Sequence, residues 1–244
     1  MRDYLIFRLY GALAAWGDIA VGEYRPSFAH PTKSAIIGLL AAALGIRRDD
    51  AERQKTLAEV CVFAVRVDAM GTMLRDYHTA QVPPAKRGIT HCTRRSELAA
   101  SKLNTVLSSR DYRCDAVYTV AIEVREGAAY TARQLADALT KPVFTLYLGR
   151  KSCPLALPLQ PKVVTRDSLR EALARLVLDD GELAGIIHDS PTLIYWEDGL
   201  ESGFTDEQII IRRDAPLSRT RWQFGERREH YCSVMKENAK CISP

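Results

Sequence analysis

Residues 31–70 read PTKSAIIGLLAAALGIRRDDAERQKTLAEVCVFAVRVDAM, and two periods meet in that stretch. Ile36, Ile37, Leu40 and Leu44 recur at helical spacing; Thr32 is placed to cap the first turn and Gly45 to stop the last. Residues 49–59 read as a second, polar helix. From residue 60 the period falls to two: Cys61, Phe63, Val65 and Val67 point inward while Arg66 and Asp68 point outward, which is a strand. Upstream, residues 3–10 (DYLIFRLY) make a strand with Leu5, Phe7 and Leu9 on one face, joined to the helix by a glycine-punctuated loop. Downstream, residues 74–113 have no sustained apolar period and read as an insertion, with room for a short helix at 96–107. Residues 114–125 resume a strand, Thr131 and Gln134 form a capping box for a helix through Leu135 and Leu139, and residues 143–148 (VFTLYL) read as another strand.

The order is therefore strand, helix, strand, insertion, strand, helix, strand. It predicts an α+β protein whose body, residues 1–160, is a ferredoxin-like (RRM-like) split βαβ fold: four strands with two helices on one face. Residues 161–244 are expected to form a small β-rich C-terminal extension. Its one helix opens with a second capping box, Ser168 and Glu171, and runs through Leu169, Leu173 and Leu176; short strands follow at 192–196, 208–212 and 230–235. Many functions share such a body, so the fold names none of them.

At 47% hydrophobic and 26% charged residues, the 244-residue composition is that of a soluble globular protein. No apolar run approaches a membrane span, and Asp3 and Arg8 interrupt any signal-like start, so a cytoplasmic protein with no membrane partner is expected. Six cysteines include no CxxC pair and no zinc-finger spacing, so neither a metal nor a cofactor is expected. The net charge of +4 is unevenly spread. Residues 178–207 hold nine acids and no Lys or Arg, and 74–113 hold eight bases against three acids. That segregation suggests a basic face for a polyanion, with the acidic stretch kept away from it.

No phosphate-cradling loop, nucleophile elbow or HExxH motif is present. Tyr77-His78, and His30 with Lys33, are the loose candidates for a metal-free ribonuclease. Binding has better material. The 16–34 loop joins Trp16, Arg25 and His30 to a helix start at Thr32, Lys33 and Ser34, where free N–H groups favour a phosphate. Arg150 and Lys151 follow Gly149 at the end of the 143–148 stretch, with Tyr147 just before it.

These residues also carry a resemblance. GALAAWGD (11–18) and HPTKSAIIGLLAAALGIRRDD (30–50) resemble the opening of the CasD family, the fifth Cas protein family of the RAMP superfamily. LRDYHT (74–79), CDAVYTVAIEV (114–124) and KPVFTLYLGRKSCPLALPL (141–159) resemble three further blocks of its type I-E branch. The resemblance runs in order to about residue 160. It implies a non-catalytic subunit of Cascade, an antiviral ribonucleoprotein complex, that grips the repeat-derived 5′ handle of CRISPR RNA. It also implies a CasC backbone neighbour, contact with the large CasA subunit, and a protruding thumb corresponding to 74–113. The RNA-contacting set would then be Trp16, Arg25, His30, Thr32, Lys33, Ser34, Tyr147, Arg150 and Lys151, joined on the thumb by Arg75, Tyr77, His78, Lys86, Arg87, Arg94 and Arg95. One branch of the family is a repeat-processing, metal-independent endoribonuclease that uses a Lys-His dipeptide, the alternative activity. No Lys-His occurs in this sequence.

Overall fold

The computed structural model describes residues 1–125, 127–175, 183, 185–187, 192–205 and 208–234. The first half holds β1 (Arg2–Tyr10), β2 (Leu13–Ala14), β3 (Tyr24–Arg25), α1 (Lys33–Ala43), α2 (Ala51–Val60), β4 (Cys61–Ala69), β5 (Thr72–Val82), α3 (Arg94–Leu98) and β6 (Asn104–Cys114). The second holds β7 (Val117–Val124), α4 (Ala132–Thr140), β8 (Lys162–Arg166), α5 (Leu169–Leu173), β9 (Thr192–Glu197), β10 (Gln208–Ser218) and β11 (Gln223–Val234). The result is a mixed α and β protein dominated by antiparallel sheets. Seven strands form one sheet in the order β10-β11-β9-β4-β7-β1-β8.

Strand alternation assigns the two faces of that sheet. Leu5, Phe7 and Leu9 of β1 join Phe63, Val65, Val120 and Ile122 under Ile36, Ile37 and Leu40 of α1, Leu57 of α2, and Leu135 and Leu139 of α4. The opposite face carries Tyr4, Ile6, Val62, Ala64 and Ala121 together with Ile194 and Trp196 of β9, and Leu169, Ala172 and Leu173 of α5 cover it. A sheet covered on both sides leaves β1 buried throughout from Tyr4 to Leu9.

This also corrects the expectation that Arg66 and Asp68 face water. Asp68 is buried and accepts hydrogen bonds from Arg66 Nε (2.6 Å) and Thr119 Oγ1 (2.6 Å), while Arg66 Nη1 donates to the Leu173 carbonyl of α5 (3.0 Å). Buried charge is tolerated there because it is paired. The predicted N-cap residues hold their places: Thr32 accepts from Ala35 N, Thr131 and Gln134 close a capping box, and Ser168 accepts from Glu171 N, which is one half of the box expected there. Leu176 lies outside the described residues.

The apolar run 143–148 is not a strand of the sheet. Val143 and Phe144 donate backbone hydrogen bonds to Ala43 O and Ala42 O, satisfying carbonyls at the end of α1, and Leu148 pairs with Cys153 and Ala15. Its alternation survives because Leu146 and Leu148 turn into the core. The strand beside β1 is instead β8. The predicted helix at 96–107 shrinks to α3, and residues 104–114 are a strand. β5 and β6 pair in unbroken register from Thr72↔Cys114 to Val82↔Asn104. Their outer reaches are exposed on both faces, so no apolar period was needed and none is visible in the sequence. At its root β6 also pairs with β2 and β3, making a second, four-stranded sheet. β9, β11 and β10 extend the main sheet and are longer than expected, residue 235 lying outside the described residues.

Candidate nucleic-acid interface

At the N-terminus of α1 one of the N–H groups expected to meet a phosphate already has an anion. Lys33 N donates to Asp214 Oδ2 (2.8 Å), and the Lys33 ammonium is paired with Glu197 (2.5 Å). Asp214 is also gripped by Arg227 through Nε (2.6 Å) and Nη2 (3.0 Å), and Arg227 reaches Glu229 at 2.5 Å. His30 lies 3.3 Å from Glu229 and stacks on Tyr195 at 4.0 Å. His30 and Thr32 are each 2% exposed, and Trp16, at 1%, packs edge-on against Tyr118. Trp16, His30 and Lys33 thus build the floor beneath a surface and do not present their side chains on it. A helix N-terminus selects an anion, and this chain supplies its own.

Burial alone would push the Glu229 carboxyl up, but His30 and the guanidiniums of Arg227 and Arg212 bring it down to about 2. Its ordinary value is 4.5. A depressed carboxyl contributes stability that is complete above the ordinary value and is lost as pH falls towards the folded one. Glu229→Gln should therefore lower the melting temperature at neutral pH and flatten its fall between pH 4.5 and 2, measured by thermal melts across that range. An acid limb identical to that of the unaltered protein would contradict this.

The root of the β5–β6 hairpin is also held from within. Asp111 is buried and accepts from Arg75 Nε (2.8 Å), Arg75 Nη2 (3.1 Å) and the Tyr24 hydroxyl. The Arg75 hydrogen bonds pull its carboxyl down against the upward push of burial, and Tyr24 adds to the effect. Arg150 donates to Asp111 O (3.2 Å) and Arg25 O (3.1 Å) and stacks over Tyr112 at 4.7 Å. Arg75 and Arg150 therefore fasten the loop before α1 to the hairpin. Further out, Tyr77, His78, Lys86, Arg87 and Arg95 are exposed, as is Lys151 in its own loop; Arg94 is paired with Glu97 at 2.6 Å. Of the acidic stretch, Glu197 pairs with Lys33 and Asp198 with His230 and Arg228, while Asp179, Asp180, Glu182, Asp189, Asp206 and Glu207 lie outside the described residues.

A groove of about 1380 Å³ runs along the outer side of α1. One wall is the loop at 17–25 with residues 144–149; the other is the tip of the β10–β11 hairpin. The helix contributes Ser34, Ala35, Gly38 and Ala42, whose small side chains leave the space open. Gly149 lets the two loops meet: at φ +82°, a Cβ there would lie 1.8 Å from the Ala15 carbonyl oxygen. Arg25, Thr32, Ser34 and Tyr147 of the expected set line this groove. Sequence reading missed the rest of its chemistry: Arg47, Arg48, Arg213, Arg219 and the exposed Trp222. Their signal was present in the pairs at 47–48 and 212–213 and in the RTRW of 219–222, but nothing linear connects them. Guanidiniums beside aromatic rings suit single-stranded nucleic acid, taking phosphates and stacking bases respectively.

Among the described residues no group of three or more His, Cys, Asp or Glu is arranged to hold a metal ion, and no helix is long and apolar enough to cross a membrane. Residues 4–230 match the family described as CRISPR-associated protein (Cas_Cas5). The chain is 40% identical over 167 residues to the CRISPR system Cascade subunit CasD of Escherichia coli (strain K12), across 65% of this chain and 70% of that one. It is similar to a chain of a solved CRISPR RNA-guided surveillance complex, with a TM-score of 0.67, 27% identity and coverage of 95% and 90% of the two chains. A crystal structure of a Cas protein gives a TM-score of 0.60 at 25% identity, covering 96% and 95%.

Proposed function

The chain belongs to the CRISPR-associated protein family Cas_Cas5, and from that premise we propose that it caps the 5′ handle of the guide RNA in a cytoplasmic Cascade complex. The single observation that carries this reading is the groove along α1, where five arginines and the exposed rings of Tyr147 and Trp222 line one open channel. Splayed handle bases have rings to stack on there, and phosphates have guanidiniums to meet. The body is a split βαβ unit of the ferredoxin-like type. Its support is the order β4-β7-β1-β8 at the heart of the sheet, with α1 and α2 between β1 and β4 and α4 between β7 and β8. The β5–β6 hairpin is the thumb, whose exposed bases reach along the guide towards the CasC subunit, and the body meets CasA.

The subunit binds RNA without cutting it, the cleavage of repeats falling to another component. Titrating the full chain with labelled handle RNA at a series of salt concentrations tests the binding. Log affinity should fall against log salt with a slope near −0.7 for each phosphate engaged. Incubation with repeat RNA in EDTA should leave the RNA intact. Absence of binding would overturn the assignment, and cutting in EDTA would replace it with a metal-independent endoribonuclease.

A further inference from the structure

Arg219 occupies an unusual place. It follows β10 at the hairpin tip, yet its guanidinium lies back across α1, donating to the Ser34 carbonyl. Gly38 makes the room: a Cβ there would come within 3.1 Å of Arg219 Nη2. The side chain is largely buried, and burial together with the neighbouring Arg48 pushes its pKa down from the usual guanidinium range. Arg48 lies 4.7 Å over the ring of Trp222, which stacks on Phe224 at 5.9 Å and keeps 56% of its surface exposed. Among the described residues neither Arg48 nor Arg219 has a carboxylate within ion-pair distance. Asp214, one of two acids in the lining, is already held by Arg227 and by the first turn of α1. Asp18, the other acid of the groove, is exposed and accepts from Ile19 N at 2.6 Å.

Two like charges brought together, one of them desolvated, raise the energy of the empty protein. An anion between them removes both costs. The Trp222–Phe224 pair alongside gives that anion a flat apolar neighbour. Resting on the reading of the groove as an RNA site, we infer that Arg48 and Arg219 form a subsite for one phosphodiester of single-stranded RNA, with the adjoining base stacked against Trp222. The phosphate takes hydrogen bonds from both guanidiniums, bidentate geometry that lysine does not reproduce. The base contact is to a π face, so it tolerates any base.

The structure makes an uncommon demand on the variants. Arg219→Met keeps the long stem over Gly38 and removes the strained charge, so the RNA-free protein should melt at the same temperature or higher. The same variant should lose the upward melting shift that handle RNA gives the unaltered chain, and its salt slope should shrink by about 0.7. Arg219→Lys should recover the slope without the full affinity. Trp222→Ala should weaken binding roughly 5- to 150-fold with the slope unchanged. Inorganic phosphate and adenosine monophosphate serve as competitors. Competition by the nucleotide well below the concentration of phosphate needed would support a joint phosphate-and-base subsite, and equal competition would remove the base from it. If the unaltered chain binds handle RNA and Arg219→Met binds it with the same slope, the subsite is wrong and the wider function stands. If the unaltered chain binds no RNA, both fall. A lower melting temperature for RNA-free Arg219→Met would make Arg219 a structural strut and overturn the inference.

Discussion

Asp214→Ala is expected to lower the stability of the chain by about 3–5 kcal/mol, the cost of stripping one partner from a buried ion pair. Asp214 and Arg227 are both nearly inaccessible, and the lost carboxylate serves two customers: the Arg227 guanidinium and the backbone N–H of Lys33. Arg227 would keep Glu229, which must also serve His30 and Arg212. For a chain of this size the loss corresponds to a fall of about 10 °C in melting temperature. Asp214→Asn should fall between, since its amide oxygen still accepts from Lys33 N while the charge is gone. A melting point for Asp214→Ala within about 2 °C of the unaltered protein would show that the network relaxes or admits water. The same acid holds the β10–β11 hairpin against α1, so RNA affinity should fall with it.

Removing the outer thumb should have the opposite profile: little effect on folding and a large one on assembly. Gln81 and Thr105 face each other across the β5–β6 hairpin, so residues 82–104 can be replaced by a short Gly-Ser linker without disturbing the register below. α3 buries no residue, and β4 and β7 keep their own apolar faces. The excision removes Lys86, Arg87, Arg94, Arg95 and Lys102. If each meets one phosphate in the complex, the salt slope for guide RNA falls by as much as ~3.5, and reconstitution with guide and CasC should fail. Aggregation of the truncated chain would show that the hairpin belongs to the core. Normal assembly would show that the grip on the handle rests on the α1 groove alone.

Where burial imposed a period, the sequence could be read. Ile36, Ile37 and Leu40 on α1, Phe63 and Val65 on β4, and the capping box at Thr131 were all legible because local chemistry and tertiary position agree there. Residues 143–148 misled because apolar alternation reports burial, and here Leu146 and Leu148 are buried by a segment whose hydrogen bonds close the end of α1. β8 was missed because a short edge strand with two valines carries little period of its own. The site was half legible. Arg25, Thr32, Ser34 and Tyr147 of the expected set do line one groove, but Asp214 meets Lys33 across 181 residues, and no local pattern announces such a pairing. Lys33, His30 and Trp16 looked available for the same reason: a loop before a helix reads as open until the strands that cover it are known.

The position of β1 bears on how the chain reaches its native state. β1 is synthesised first, and its six central residues are all buried in the finished protein. Yet its neighbours, β7 and β8, begin only at residues 117 and 162. On the ribosome the strand must wait for both, exposing Leu5, Ile6, Phe7 and Leu9 meanwhile. Closing loops that long before any contact is gained makes folding slow, and an unpaired apolar strand invites association with other nascent chains. The β5–β6 hairpin, by contrast, pairs through neighbours in sequence and can form as soon as it emerges. Refolding from denaturant should therefore show hairpin structure before the main sheet, and yields should rise as the protein concentration is lowered.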